Sequence, residues 1–77
     1  MSQLNDETRQ QVYEYIRDSI RERHLNPTVR EIAKGCYLAP STVLPYLNFL
    51  EGKGWIVREY AIPRSIRLGE QAPDYEE

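Results

Sequence analysis

The fold is decided between residues 28 and 68, where the sequence reads TVREIAKGCYLAPSTVLPYLNFLEGKGWIVREYAIPRSIRL. At its start, Thr28 and Glu31 have the spacing of a capping box, in which each side chain satisfies a backbone amide near the other. Apolar residues then recur at i, i+3, i+4 and i+7, the spacing of a buried helical stripe: Val29, Ile32, Ala33 and Cys36. The stretch therefore opens with a short amphipathic helix, in which Cys36 is predicted to pack rather than to react.

Another helix follows after a turn. It begins at Pro40, which suits a first helical position because that position needs no amide hydrogen, or else it is capped by Ser41. Lys53 and Gly54 end it with a cation in the last turn and a residue suited to a left-handed cap. Pro45 lies about one turn in, so the helix is expected either to start late or to kink. Its core face is predicted to carry Val43, Tyr46, Leu47 and Leu50.

After Gly54 the sequence predicts a β-hairpin. Trp55 to Tyr60 forms the first strand, and Ala61-Ile62-Pro63-Arg64 turns the chain. Ile66 and Leu68 then alternate with polar residues in the returning strand. Arg64 is expected at the tip of the hairpin, and Trp55 is predicted to be a core anchor rather than a platform for stacking bases.

The segment before residue 28 predicts a further helix, capped by Asn5 or Asp6 and ended by His24, a residue type that tolerates positive φ. An apolar residue recurs there at every fourth position: Val12, Ile16 and Ile20. The fold class that follows is mainly α with a small β-hairpin, a three-helix winged helix-turn-helix over residues 5–69. Residues 70–77 are acidic and lack periodicity, so they are expected to form a disordered tail.

Composition limits the classes of protein that fit. The 77 residues are enough for one small domain, and 40% hydrophobic with 29% charged residues is typical of soluble globular proteins. The apolar runs are too short to span a bilayer, and residues 1–6 lack the pattern of a secretory signal. Cys36 and His24 are the single residues of their types, so neither a disulfide nor a metal site is expected. These features predict a cytoplasmic protein without a cofactor.

The net charge of −2 is unevenly distributed along the chain. Between residues 8 and 69, ten Lys and Arg stand against six Asp and Glu, a balance of +4, and the other six acidic residues lie towards the two ends. A basic body with an acidic tail is compatible with binding to double-stranded DNA, and such a protein would be nucleoid-associated when bound. No nucleophile, base and oxyanion donor form a visible constellation, so we predict no catalytic residue and no enzyme.

The outward face of the helix that begins at Pro40 is the face that would enter a major groove. Its hydroxyl and amide groups can hydrogen-bond to base edges, and its apolar groups can touch a thymine methyl. The predicted base-facing residues are Ser41, Thr42, Leu44, Pro45 and Asn48. The hairpin after Gly54 is the wing of this fold. Contacts with the DNA, either with its backbone or made from the wing, are predicted for Thr28, Arg30, Lys34, Lys53, Arg58, Arg64 and Arg67.

These motifs resemble the amino-terminal DNA-binding domain of the LexA repressor family. The resemblance implies a winged helix-turn-helix that represses transcription by binding a palindromic operator as a dimer, with base-facing roles for Ser41, Thr42, Leu44 and Pro45. The family's carboxy-terminal domain has no counterpart in this sequence, so we expect no self-cleavage. The matching residues are Ile16-Arg17-Asp18, Pro27-Thr28-Val29-Arg30-Glu31-Ile32-Ala33, Pro40-Ser41-Thr42-Val43, Leu47, Leu50-Glu51, Lys53-Gly54-Trp55-Ile56 and Arg64-Ser65-Ile66-Arg67-Leu68.

The sequence departs from the family pattern on the surface expected to read bases. The family usually has a Gly near Tyr37, polar residues near Leu44 and Pro45, and Lys-rich positions near Asn48 and Gly52. Two functions therefore stay open: a sequence-specific DNA-binding regulator, and a protein-binding module on the same scaffold that modulates another transcription factor. As partners besides double-stranded DNA, a second copy of the chain and a heteromeric protein both remain candidates.

Overall fold

The computed structural model describes residues 4–59 and 61–73 of the chain. Three helices, α1 (Asp6–Glu22), α2 (Val29–Cys36) and α3 (Pro40–Gly52), precede two short strands, β1 (Ile56–Val57) and β2 (Arg67–Leu68). The strands pair antiparallel, with Ile56 opposite Leu68 and Val57 opposite Arg67. This arrangement confirms the mainly α, three-helix winged helix-turn-helix predicted from the sequence.

The apolar stripes of the three helices meet in one core beneath the hairpin. The predicted stripes of α2 and α3 are buried there, except that Val29 is half-buried at the edge. Each larger aliphatic side chain that is fully buried contributes about 1.5–3 kcal/mol, so core packing rather than helix propensity sets the arrangement. The buried core consists of Val12, Tyr13, Ile16, Ile32, Ala33, Cys36, Val43, Tyr46, Leu47, Leu50, Ile56 and Ile66.

Trp55 joins the end of α3 to the core. Its ring meets Tyr13 edge-on at a centroid distance of 5.6 Å and Phe49 at 6.3 Å. Its backbone carbonyl accepts a hydrogen bond from the amide of Gly69 at 2.8 Å, which ties the start of the hairpin to its end. The prediction that Trp55 is a core anchor is confirmed.

The first two helices begin at the predicted caps. Asn5 accepts a hydrogen bond from the amide of Thr8 at 3.1 Å and so caps α1. Thr28 and Glu31 form the reciprocal capping box of α2, with both bonds at 3.1 Å. These bonds satisfy amides that a helix start otherwise leaves without partners.

Residues with positive φ follow the helices. His24 has a φ of 55° just beyond α1 and Gly54 a φ of 78° beyond α3, as predicted for both. Tyr37 ends α2 with a φ of 59°, and the next amide, that of Leu38, donates back to Ala33 at 2.8 Å. Tyr37 therefore occupies a left-handed conformation that is usually taken by glycine.

The start of α3 settles the alternatives that its sequence left open. Pro40 is the first helical residue and Ala39 precedes it, so Ser41 is not the cap. The helix continues through Pro45 to Gly52, and the expectation of a late start is therefore wrong. Because Pro45 has no amide hydrogen, the carbonyl of Ser41 loses the helical donor four residues ahead of it.

Among the described residues 55–59 of the predicted first strand, Ile56–Val57 form the ladder. Further along, a side chain replaces the backbone pairing: the Ser65 hydroxyl accepts from the amide of Glu59 at 2.9 Å and donates to its carbonyl at 2.8 Å. The wing is thus a short hairpin that is extended by two hydrogen bonds between the Ser65 side chain and the Glu59 backbone. Tyr60, which the prediction included, lies outside the described residues.

The described residues that follow Gly69 lie against the helical core. Residues 70 and 71 form a turn, and Ala72 packs against the core. The Tyr13 hydroxyl donates to the carbonyl of Pro73 at 3.1 Å. The described part of the predicted tail, residues 70–73, therefore contacts the domain through Ala72 and Pro73. Residues 74–77 lie outside the described residues.

Candidate nucleic-acid interface

The outer face of α3 is formed by the residues opposite its buried stripe. The five predicted base-facing residues are exposed there, whereas Val43 and Leu47 between them are fully buried. The structure therefore brings these five side chains together on one side of one helix. They offer hydroxyl, amide and apolar groups and carry no charge: Ser41, Thr42, Leu44, Pro45 and Asn48.

Asn48 is held in place by Arg58, which follows β1. The Nη2 atom of Arg58 donates to Oδ1 of Asn48 at 2.6 Å, and Nε of Arg58 donates to Oε1 of Glu51 at 3.1 Å. The Arg58 side chain is only 8% exposed. The amide oxygen of Asn48 accepts this bond, and its amide nitrogen is the donor that a base or phosphate acceptor can engage.

Arg64, at the tip of the wing, folds back onto the start of α2. Its Nη1 and Nη2 atoms donate to the two carboxylate oxygens of Glu31 at 3.1 and 2.7 Å, and Nη1 also donates to the carbonyl of Asn26 at 3.0 Å. Arg64 adopts this position with a φ of 55°. A bidentate Arg–carboxylate pair fixes geometry better than a single contact. The wing is thereby connected to the amino end of α2.

This contact changes the electrostatics of Glu31. The guanidinium of Arg64, helped by the amide of Thr28, holds the pKa of the Glu31 carboxyl below its ordinary value. Glu31 is therefore ionised at neutral pH and accepts from both partners at once. A carboxylate that was predicted to cap a helix also anchors the wing.

Helix α2 presents two further cations, Arg30 in its first turn and Lys34 in its last turn. Arg30 and Lys34 are exposed and lie four residues apart, so they share one face of the helix. Thr28 precedes them and is half-buried, with its hydroxyl oxygen accepting the amide of Glu31. Arg30 and Lys34 therefore share an exposed face of α2, and Thr28 lies at its start.

The remaining predicted backbone contacts lie at the end of α3 and on β2. Lys53 is exposed, and its Nζ atom lies 5.6 Å from the centroid of the Phe49 ring. The guanidinium of Arg9 lies over the same ring at 4.8 Å. Arg67 is exposed in β2, where it pairs with Val57.

A cleft of about 450 Å³ separates α3 from the turn of the wing. Leu44 lines it from α3, Val29 from the start of α2, and Ile62 and Pro63 from the wing. Leu44 is 43% exposed and Ile62 is 54% exposed, and both line this one cleft. The outer face of α3 therefore continues into an open and mainly apolar surface.

Sequence reasoning missed the partners of the two wing arginines. Glu31 and Arg64 are 33 residues apart, and Arg58 lies 10 residues from Asn48. Side chains so far apart follow no helical or strand period, so no local pattern indicates the contact. The sequence indicates only that Glu31 can accept further hydrogen bonds, since a carboxylate can cap a helix and still accept a bidentate arginine.

The single Cys36 and His24 have the roles predicted for them. Cys36 is buried, its Sγ lies 3.9 Å from the carbonyl of Gln11, and burial raises the pKa of its thiol, which disfavours the reactive thiolate. His24 is exposed and ends α1. Across residues 4–59 and 61–73, no three His, Cys, Asp or Glu side chains are grouped so that they hold a metal ion. The same residues contain no helix with the length and apolarity to cross a bilayer.

Comparison with known proteins identifies relatives of this chain. The family model described as the LexA DNA binding domain matches residues 1–65. The chain is 39% identical over 69 residues to a LexA repressor of Clostridium novyi, which covers 88% of this chain and 34% of that protein. A LexA repressor of Listeria monocytogenes is 43% identical over 60 residues, which are 77% of this chain and 29% of that protein. The chain thus spans about a third of the length of the curated relatives that it matches.

Proposed function

The chain belongs to the LexA DNA-binding domain family, and on this premise we propose that it binds specific sequences of double-stranded DNA and represses transcription. In the proposed complex, α3 lies in the major groove and the wing lies beside it on the backbone or minor groove. The observation that carries the proposal is the exposed outer face of α3, next to the amino end of α2. The family match favours this function over a protein-binding module.

The bases are read from the outer face of α3 in this proposal. Ser41 and Thr42, in the first turn, donate to or accept from base edges. Asn48 donates from its amide nitrogen, while its amide oxygen accepts from Arg58. Leu44 and Pro45 supply apolar contacts. A set of five uncharged side chains leaves the long-range attraction to DNA to other parts of the surface.

That attraction comes from the exposed cations around α3. Each cation that neutralises a phosphate releases condensed counterions, which makes binding dependent on salt. Thr28 adds a hydroxyl at the amino end of α2. Arg58 and Arg64 act differently, because their guanidinium groups are bonded to Glu51 and Glu31 and position Asn48 and the wing. The proposed phosphate-contacting cations are Arg30, Lys34, Lys53 and Arg67.

The test is a selection of bound duplexes from a random pool, followed by titrations of the selected duplex between about 50 mM and about 200 mM salt. Four phosphate contacts predict a slope of log K against log salt of about −4. A selection that retains no duplex, or binding that is independent of salt, contradicts the proposal.

Charge-removing variants locate the interface. Arg30→Ala and Lys34→Ala are each expected to weaken binding to all duplexes and to reduce the salt slope by about 1. Arg21→Ala, in the last turn of α1, removes the same charge from another helix and serves as the matched control. Equal slopes for Arg21→Ala and Arg30→Ala exclude the amino end of α2 from the interface.

The selected site also identifies the partner. In our proposal two copies of the chain bind inverted half-sites, as the symmetry of a dimer requires. A palindrome among the selected duplexes supports this homodimer. A single half-site instead supports binding as a monomer or with a heteromeric protein partner.

A further inference from the structure

Leu44 is exposed at the point where a hydrogen-bonding residue is most informative. It lies on the outer face of α3 with 43% of its surface accessible, and Pro45 beside it is exposed as well. Across the cleft, Ile62 and Pro63 extend the apolar surface onto the wing. These apolar side chains line one cleft, so a single apolar group of a partner can contact several of them at once.

The chemistry of the major groove decides what can cover this surface. Base edges present acceptors and amino donors there, and the one apolar group among them is the C5-methyl of thymine. Phosphate oxygens cannot complement an aliphatic surface, because their desolvation has no compensating hydrogen bond. Of the groups that duplex DNA offers to α3, the thymine methyl is the one that fits Leu44.

We propose that Leu44, with Pro45 beside it, is a specificity-determining residue that recognises the C5-methyl group of thymine. The inference rests on the proposed DNA binding and adds which base is read and by which atom type. The chain selects thymine at this position by apolar contact instead of a hydrogen bond. It then tolerates a change of hydrogen-bonding pattern there better than the loss of a methyl group.

Deoxyuridine provides a direct test, because it pairs as thymine does and lacks only the methyl group. Each thymine of the selected duplex is replaced singly by deoxyuridine, and the dissociation constants are measured at one salt concentration. Burial of one methyl-sized group predicts about fourfold weaker binding at one or two positions and no change elsewhere. If no position responds to the replacement, the inference is overturned while DNA binding stands.

A substitution then assigns the effect to the side chain. Leu44→Ala is expected to bind the thymine duplex about fourfold more weakly and to bind the deoxyuridine duplex as the unaltered chain does. Leu25→Ala is the matched control, since Leu25 is the same residue type, 41% exposed, in the connection between α1 and α2. It should keep the full preference for thymine.

The outcomes separate the two proposals. If Leu44→Ala retains the preference for thymine, the methyl group is recognised by another residue or through the shape of the DNA. That outcome overturns the inference. If neither the unaltered chain nor the variants retain any duplex, DNA binding itself is contradicted. Circular dichroism confirms that both variants are folded, which is expected for substitutions at exposed positions.

Discussion

Arg64 and Glu31 join the tip of the wing to the first turn of α2 through two parallel hydrogen bonds of 3.1 and 2.7 Å. The same carboxylate accepts the amide of Thr28 at 3.1 Å and so completes the capping box of α2. One side chain therefore connects the helix start to the hairpin. The placement of the wing relative to α2 depends on this contact as well as on the core.

Replacing Arg64 with lysine tests the role of the bidentate geometry. Arg64→Lys keeps the charge but cannot engage both oxygens of Glu31 with a planar fork. We expect faster hydrogen exchange of backbone amides at residues 61–66 and unchanged exchange in α1 and α3, measured by NMR. Arg67→Lys, an equally conservative change in the neighbouring strand, is the control. Equal exchange in both variants would show that the wing is held without the pair.

The ionisation of Glu31 predicts how this contact depends on pH. Its pKa in the folded chain is lowered by Arg64 and by the amide of Thr28, so the contact stabilises the fold at pH values above the ordinary pKa of the carboxyl. The stabilisation is lost as the pH falls through the lowered pKa. Because both side chains are more than a third exposed, solvent weakens the effect.

A comparison of stabilities isolates this carboxyl from the other acids. Glu31→Gln removes the charge and retains a side chain that can cap α2. The difference in unfolding free energy between the unaltered chain and Glu31→Gln is expected to be constant near neutral pH and to shrink towards about pH 3. Urea denaturation at a series of pH values measures it. A difference that grows on acidification has the wrong sign for this mechanism.

The turn between α2 and α3 offers a stabilising substitution. Tyr37 holds a φ of 59° with 90% of its surface exposed, so it bears the cost of the left-handed conformation without packing in return. Tyr37→Gly should raise the unfolding free energy by about 1 kcal/mol. In a domain of this size that corresponds to an increase in Tm of about 4–8 °C.

Tyr37→Ala is the control for this prediction. It removes the same ring but retains a Cβ, so the left-handed conformation remains costly and the Tm should stay close to that of the unaltered chain. An equal rise in both variants would assign the gain to loss of the exposed ring. The prediction requires the rise to be specific to glycine.

The sequence predicts those features of the fold that repeat locally. The helical period places Val43 and Leu47 in the core and, by the same geometry, places Leu44 and Asn48 outside it. Capping by Thr28 and termination at Gly54 are likewise encoded within a few residues. The arrangement of the candidate base-facing side chains was therefore predictable from periodicity alone.

Contacts between distant residues were not predictable in this way. The Tyr13 hydroxyl donates to the carbonyl of Pro73, 60 residues away, and no local pattern in the acidic segment indicates this bond. Arg58 and Arg64 are of the residue type expected to contact DNA from a wing. In the structure they donate hydrogen bonds to Glu51 and Glu31. Tertiary packing selects such partners among many exposed charges, and composition does not distinguish between them.

Pro45 connects the stability of α3 to the surface that it presents. It lies inside a helix that runs from Pro40 to Gly52, and it leaves the carbonyl of Ser41 without the amide that residue 45 normally supplies. Proline inside a helix costs about 3 kcal/mol relative to alanine, and less near the helix start. Pro45→Ala should therefore raise the unfolding free energy by about 1–3 kcal/mol in urea denaturation.

Pro40→Ala is the matched control, because Pro40 is the first helical residue and its missing amide has no helical partner. It should leave stability unchanged or lower it slightly, since proline restricts the unfolded chain. If Pro45→Ala gives no more stability than Pro40→Ala, the helix accommodates Pro45 without cost. If Pro45→Ala is more stable but binds the selected duplex more weakly, the proline ring destabilises α3 and contributes to the surface that contacts DNA.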